Sequence, residues 1–195
     1  MSHLPQIAAK CTNISRRICA TTCIAGAAWF ARAMSTAVRV RQLYISPGHN
    51  FFGHHEQPPG ENPIVEVTEV RCVAGRGIEG DRFFDYKPDY KGQATFFAWE
   101  TYERMCEQFG VRDKSPGVFR RNIVTEGLDL PALIGVEFEV QGVRFLGTQE
   151  SAPCHWMNMA FAEGAEDALK GHGGLRVKIL SDGVLRVTPR LSPLL

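Results

Sequence analysis

No aspartate or glutamate precedes Glu56, no apolar run reaches the roughly 20 residues a membrane-spanning helix needs, and no Cys-x2-Cys or HExxH step occurs in the 195 residues. Each absence excludes something. Without paired cysteine steps there is no zinc finger or ribbon pattern, and without the helical histidine pair there is no zincin-type metal site. Lys and Arg total 22 against 21 Asp and Glu, so the molecule lacks the broad positive field of a nonspecific nucleic-acid binder, and any anion site has to be local. The six cysteines are too irregularly spaced for a disulfide framework, which makes reduced thiols in a cytosol the default expectation. Neither a membrane nor a nucleic acid is expected as a partner.

What the first stretch does contain is positive charge: Lys10, Arg16, Arg17, Arg32, Arg39 and Arg41. Between Ile18 and Ala33 the chain is small and apolar, but it is interrupted by Arg32. Three readings stand: a basic targeting segment, a weak secretory signal, or an upstream stretch ahead of a functional start at Met34, the last being favoured. On each of them residues 1–36 are a basic extension in which Cys11, Cys19 and Cys23 are incidental. Residues 37–195 are then one domain, of a size that closes a single substantial core.

From Val38 the pattern becomes short alternating runs, VRVRQLYI and then PIVEVTEVRCV, which read as strands. Between them GHNFFGHHEQPPGEN is too rich in Gly, Pro and His to be regular, and reads as a long surface loop. QATFFA is a short apolar strand. Trp99 to Phe109 predicts the central helix, with Tyr102, Met105, Cys106 and Phe109 on one face and Gly110 as its stop, so Cys106 is expected in the core. RNIVTEG, VEFEV and VRFLGTQ alternate as strands, with Gln141-Gly142 as a hairpin turn. A short helix is expected near AEDALK, and LRVKIL-SDG-VLRV closes the chain with Asp182-Gly183 as its turn signal. Five to seven short, mostly antiparallel strands with few helices make the fold class mainly β, a barrel or a sandwich.

Cys154 is the first candidate for chemistry, because it follows Pro153 in the polar connection SAPCHWM rather than lying in an apolar stripe. A thiol of ordinary acidity is only about 3% thiolate at neutral pH, so a reactive one needs a cation beside it. His155 is nearest in sequence, which does not establish contact. The bland alternative is a small buried apolar residue. Arg120-Arg121-Asn122 enter the strand NIVTEG, where alternation places Arg120 and Asn122 on one face and Arg121 on the other. A planar guanidinium fork suits phosphate, although such a run is also an ordinary strand edge. In Gly75 to Arg82 three glycines allow tight turns. The P-loop pattern and a following helix are missing, so this segment reads either as a binding loop or as a turn in which Asp81 caps backbone amides and Arg82 packs its stem. His49, His54, His55 and Glu56 read as the mobile rim of a pocket rather than a metal cluster, and His172 reads as a turn residue.

Taken together, VRCVAGRGIEGDRF, FRRNIVTEGLDLPALIGVEFEVQGVRF, APCHWM and GHGGLRVKILSDGVLRV, in that order, resemble the MOSC family over residues 37 to 187. The resemblance implies a β-barrel with a few peripheral helices. It also implies that Cys154 is the family's cysteine, carrying sulfur as a persulfide or ligating molybdenum through the cofactor. Asp81 and Arg82 fall on its GDR step and Arg121 and Asn122 on its RN step, so these residues, with Arg120, are expected near the pterin and its terminal phosphate. Two functions follow: reduction of N-hydroxylated compounds with the molybdenum cofactor bound, or carriage of sulfur or cofactor for a sulfurase or molybdoenzyme. An electron-donor protein is a further expected partner of the first. No pyridoxal phosphate is expected, and the chain departs from the family in ending its last strand with Val187-Thr188-Pro189.

Overall fold

The computed structural model describes residues 38–51 and 58–189. The expectations for residues 1–36, and for His54, His55 and Glu56, lie outside them. Ten strands dominate: β1 (Arg39–Ile45), β2 (Val65–Val67), β3 (Glu69–Val73), β4 (Gly77–Ile78), β5 (Ala94–Ala98), β6 (Ile123–Glu126), β7 (Glu137–Val140), β8 (Val143–Glu150), β9 (Leu175–Ile179) and β10 (Gly183–Arg186). Three helices accompany them, α1 (Trp99–Phe109), α2 (Trp156–Ala160) and α3 (Ala165–Ala168), with a 3-10 turn at Pro116–Phe119. No helix among the described residues is long and apolar enough to cross a membrane.

The β-rich class stands, and the pairing is antiparallel except between β5 and β6. That parallel pair needs a crossover, which α1 supplies. The expected barrel, however, does not close. Among the described residues one sheet of seven strands runs β2-β1-β6-β5-β9-β8-β7, with β2 and β7 at its edges, and a second sheet runs β10-β3-β4. The two face each other across one core, in which Leu43, Phe96, Ile123, Phe145 and Val177 of the larger sheet meet Val70, Cys72, Ile78 and Leu185 of the smaller. A second apolar cluster joins Phe97 of β5 to Met105 of α1, Phe119, and Met157, Phe161 and Leu169 of the α2–α3 region.

Local chemistry accounts for most of these boundaries. Gly110 ends α1 at φ 66°, its N–H bonded to the carbonyls of Cys106 and Glu107. Gln141 and Gly142 take φ 50° and 82°, the pair of left-handed residues that a two-residue hairpin needs, and β7 and β8 pair across it. Two expectations are corrected. PIVEVTEVRCV is not one strand: it breaks at Thr68, whose carbonyl accepts the N–H of Val187, and its halves pair in different sheets. Asp182-Gly183 does not turn β9 into a hairpin with β10, because β9 pairs with β5 and β8 while β10 pairs with β3. At the chain's departure from the family pattern, Thr188 stitches the sheets together: its N–H donates to the Val40 carbonyl, and its Oγ1 accepts from the Val40 N–H at 3.1 Å.

Candidate functional site

A buried polar hub lies where β1, β5 and β6 meet the turn after β4. Asp81 Oδ1 accepts hydrogen bonds from the Ser46 N–H (3.1 Å), Asn122 Nδ2 (3.0 Å) and an Arg82 guanidinium nitrogen (3.3 Å), and its Oδ2 accepts from the Phe83 N–H. Asn122, 1% exposed, also accepts from the hydroxyl and N–H of Thr95 and donates to the Tyr44 carbonyl. Every polar atom of the Asn122 side chain is therefore spent on the protein. Asp81 and Asn122 lie behind the wall of the neighbouring cavity rather than on it. Glycines 75, 77 and 80, spaced GxGxxG, precede no helix: Gly77 begins β4, and the turn exists to deliver Asp81 and Arg82.

The hub holds arginines at the edge of a cavity of about 390 Å³. Arg82, Arg120, Arg121 and Arg176 all line it together with Cys154, and no carboxylate is among the described lining residues. Alternation had placed Arg120 and Arg121 on opposite faces. The structure brings both to the cavity because Arg120 is not in strand conformation: it caps the 3-10 turn at φ 57°, so the period of two begins only after it. Arg120 donates to the Ser46 hydroxyl (2.6 Å) and the Gly48 and Asn62 carbonyls (2.7 and 3.1 Å).

Arg121 spreads its fork across three segments. It donates to the carbonyls of Phe119 (3.1 Å), Ser151 (2.7 Å) and Gly173 (2.8 Å), tying the 3-10 turn, the Cys154 loop and the glycine turn before β9 to one planar group. Arg176, on the face of β9 opposite the core, is different: its guanidinium has no hydrogen-bond or ion-pair partner among the described residues. Sequence reasoning missed it. Alternation in LRVKI sends Arg176 away from the core, and a cavity-facing position and a water-facing one look identical in that pattern.

Four guanidiniums in one wall oppose one another. Burial, with repulsion from Arg82, brings Arg120 down to about 10, and burial with repulsion from Arg176 and Arg82 brings Arg121 down to about 10 despite attraction from Cys154 and Glu150. Burial also lowers Arg82, whose Nε is buried without a hydrogen-bond partner among the described residues. His49, another lining residue, is held below the ordinary histidine range by burial and by Arg82 and Arg120. Burial and mutual repulsion thus act together to disfavour the charged forms along this wall.

Cys154 is half-buried and borders this wall. Its carbonyl accepts the Met157 N–H at 2.8 Å as α2 begins, and Trp156 anchors the segment by donating to the Val118 carbonyl at 2.8 Å. Arg121 interacts electrostatically with Cys154. His155, the neighbour in sequence, is turned toward Glu166, 3.9 Å away, and does not line the cavity. Cys72 is buried in the core, where burial pushes its thiol up to about 12, and Cys106 packs with the helices as expected. His172 lies outside this cavity, in the glycine turn behind it.

A family model described as MOSC domain matches residues 87–188. Among solved structures, the YuaD protein from Bacillus subtilis superposes with a TM-score of 0.59 at 17% identity, over 77% of this chain and 91% of that one. YiiM from Geobacillus stearothermophilus gives 0.54 at 15% identity, over 78% and 76%, and YiiM from Escherichia coli gives 0.51 at 18%, over 80% and 71%. At these identities the likeness is one of fold. No curated protein matches the sequence.

Proposed function

The chain belongs to the MOSC domain family, which is associated with the molybdenum cofactor, and on that premise we propose that it binds this cofactor in the arginine-lined cavity and reduces N-hydroxylated compounds there. The observation that carries the reading is the convergence of Cys154 with four arginines, free of carboxylates among the described residues, in a cavity of about 390 Å³. That volume lies within the usual range of small-molecule sites, ~300–1,000 Å³. The donor set fits the group: a soft thiolate suits molybdenum, and guanidinium forks suit a terminal phosphate. The guanidinium of Arg176, without a hydrogen-bond or ion-pair partner among the described residues, and the orphaned Nε of Arg82 mark charge that the described residues do not satisfy.

In this reading Cys154 would ligate the metal, and Arg176 with Arg120 would carry the anionic end. Arg121 keeps the Cys154 loop fixed to the 3-10 turn and the glycine turn. Asp81 and Asn122 act from behind, holding Arg82 and the end of β1. When bound, the cofactor supplies two-electron chemistry. The balanced reaction is R–NHOH + 2 e⁻ + 2 H⁺ → R–NH₂ + H₂O: the N–O bond breaks, the oxygen leaves as water, and both electrons come from an electron-donor protein. The test is reduction of an N-hydroxylated arene by cofactor-loaded and cofactor-free protein, and full activity without cofactor ends the proposal.

A second reading, a carrier of sulfur or cofactor, draws on the partial exposure of Cys154 in a loop, where a partner protein can reach it. It requires a persulfide on Cys154 visible by intact mass, and continued sulfur donation by Cys154→Ser rules it out.

A further inference from the structure

The segment after Arg82 carries the step Asp-Tyr-Lys twice, at Asp85-Tyr86-Lys87 and Asp89-Tyr90-Lys91. Asp85 and Asp89 both adopt left-handed backbone, φ 53° and 52°, a conformation that aspartate tolerates better than most residues. Each turn is held from outside. Arg76 grips Asp85 with a two-pronged ion pair, and Lys178 of β9 pairs with Asp89. The tyrosine after each aspartate is thereby set in the cavity wall, beside Phe83.

The three rings form one cluster at the mouth. Phe83 lies 5.7 Å from Tyr86 at 88° and 5.3 Å from Tyr90, and the tyrosines are 4.9 Å apart. Tyr86 is 53% exposed, so this ring is held in place without being buried by its own fold. Lys87 adds the discriminating feature, its ammonium 5.6 Å from the centre of Tyr86 and 5.2 Å from that of Tyr90. A cage for cationic ligands needs electron-rich ring faces that no resident cation has claimed. Here a lysine already sits at the faces, with four arginines lining the same cavity.

We infer that this rim is a stacking subsite for a planar substrate ring that is neutral or anionic, with Tyr86 setting ring affinity and Lys87 excluding cations. The inference rests on the proposed reading for the chemistry beneath the rim, but the rim's own selectivity is measurable without turnover. Benzamide and benzamidine have nearly the same planar shape and differ in charge. Their binding to purified protein, followed by ligand-observed NMR, is expected to favour benzamide by roughly tenfold or more, the size of one repulsive contact near a protein surface. Tyr86→Ala should weaken benzamide roughly tenfold, as for loss of one stacking partner, and Lys87→Glu should at least halve the preference. Equal binding of the two probes, no measurable benzamide binding, or an unchanged Tyr86→Ala protein overturns the inference. Molybdenum content, read on the same preparations, separates the two ideas: preference without molybdenum sinks only the cofactor reading, and molybdenum without preference sinks only this one.

Discussion

Replacing Arg176 with methionine removes the one cavity-lining guanidinium without a partner among the described residues while keeping the length of its stem. Two effects of opposite sign follow. Arg176 and Arg121 repel, which together with burial brings Arg121 down from the ordinary arginine range to about 10. Relief of that repulsion is worth on the order of 1 kcal/mol at a solvent-accessible site, and about 1 kcal/mol moves the midpoint of a domain this size by roughly 2–4 °C, so the variant should melt higher. Anion binding should weaken. A guanidinium ~6 Å from a single negative charge at an effective dielectric of ~20 contributes roughly 3 kcal/mol, and screening at the open mouth reduces this to about 1.4–2.5 kcal/mol, or roughly 10- to 70-fold in affinity. The assay is thermal unfolding in rising concentrations of inorganic phosphate at low ionic strength. A variant no more stable than the parent when empty, and equally stabilised by phosphate, refutes the electrostatic account.

Asn122→Ala should destabilise by about 2–4 kcal/mol, because it strands Asp81, the Thr95 pair and the Tyr44 carbonyl in a buried setting; denaturant unfolding reads the loss. His49 titrates below its ordinary range in the folded state, so the unfolded chain takes up the proton first and stability declines as pH falls below about 6.5. Melting midpoints between pH 7.5 and 5 should show that slope, and His49→Asn should flatten it. Gly174→Ala places a Cβ 2.4 Å from the Phe96 carbonyl at φ 110°, and should cost roughly 3 kcal/mol or more, seen as a large drop in soluble yield and melting midpoint.

Helix α1 was readable from sequence to the residue, because an amphipathic period and a terminal glycine act locally. The β7–β8 hairpin was readable for the same reason, its turn chemistry lying in two adjacent residues. Partner choice was not. Alternation reports which face of a strand is buried and says nothing of which strand lies beside it, so the break at Thr68 and the parting of β9 from β10 left no signal. Cys154 stood out as a thiol in a polar connection; Arg121, 33 positions earlier, interacts with it electrostatically, a pairing that adjacency in sequence does not announce. A single left-handed residue, Arg120, was enough to upset the face assignment of the whole RRN step. Asp81 was legible as a cap of backbone amides, and it does accept the Ser46 and Phe83 N–H groups; that Asp81 and Asn122 bond each other and hold the wall from behind is visible only in the structure. The aromatic rim lies in an irregular loop, where the repeated Asp-Tyr-Lys step does not announce which rings converge.

We propose that the cationic cavity holds the molybdenum cofactor with Cys154 at its reactive end. Protein and Cys154→Ala, expressed side by side in a host that makes the cofactor, should be compared for molybdenum and pterin per chain. The account predicts near-equal molybdenum and pterin in the parent protein and a sharp loss of molybdenum in the variant. A parent without molybdenum, or a variant that retains as much as the parent, contradicts it.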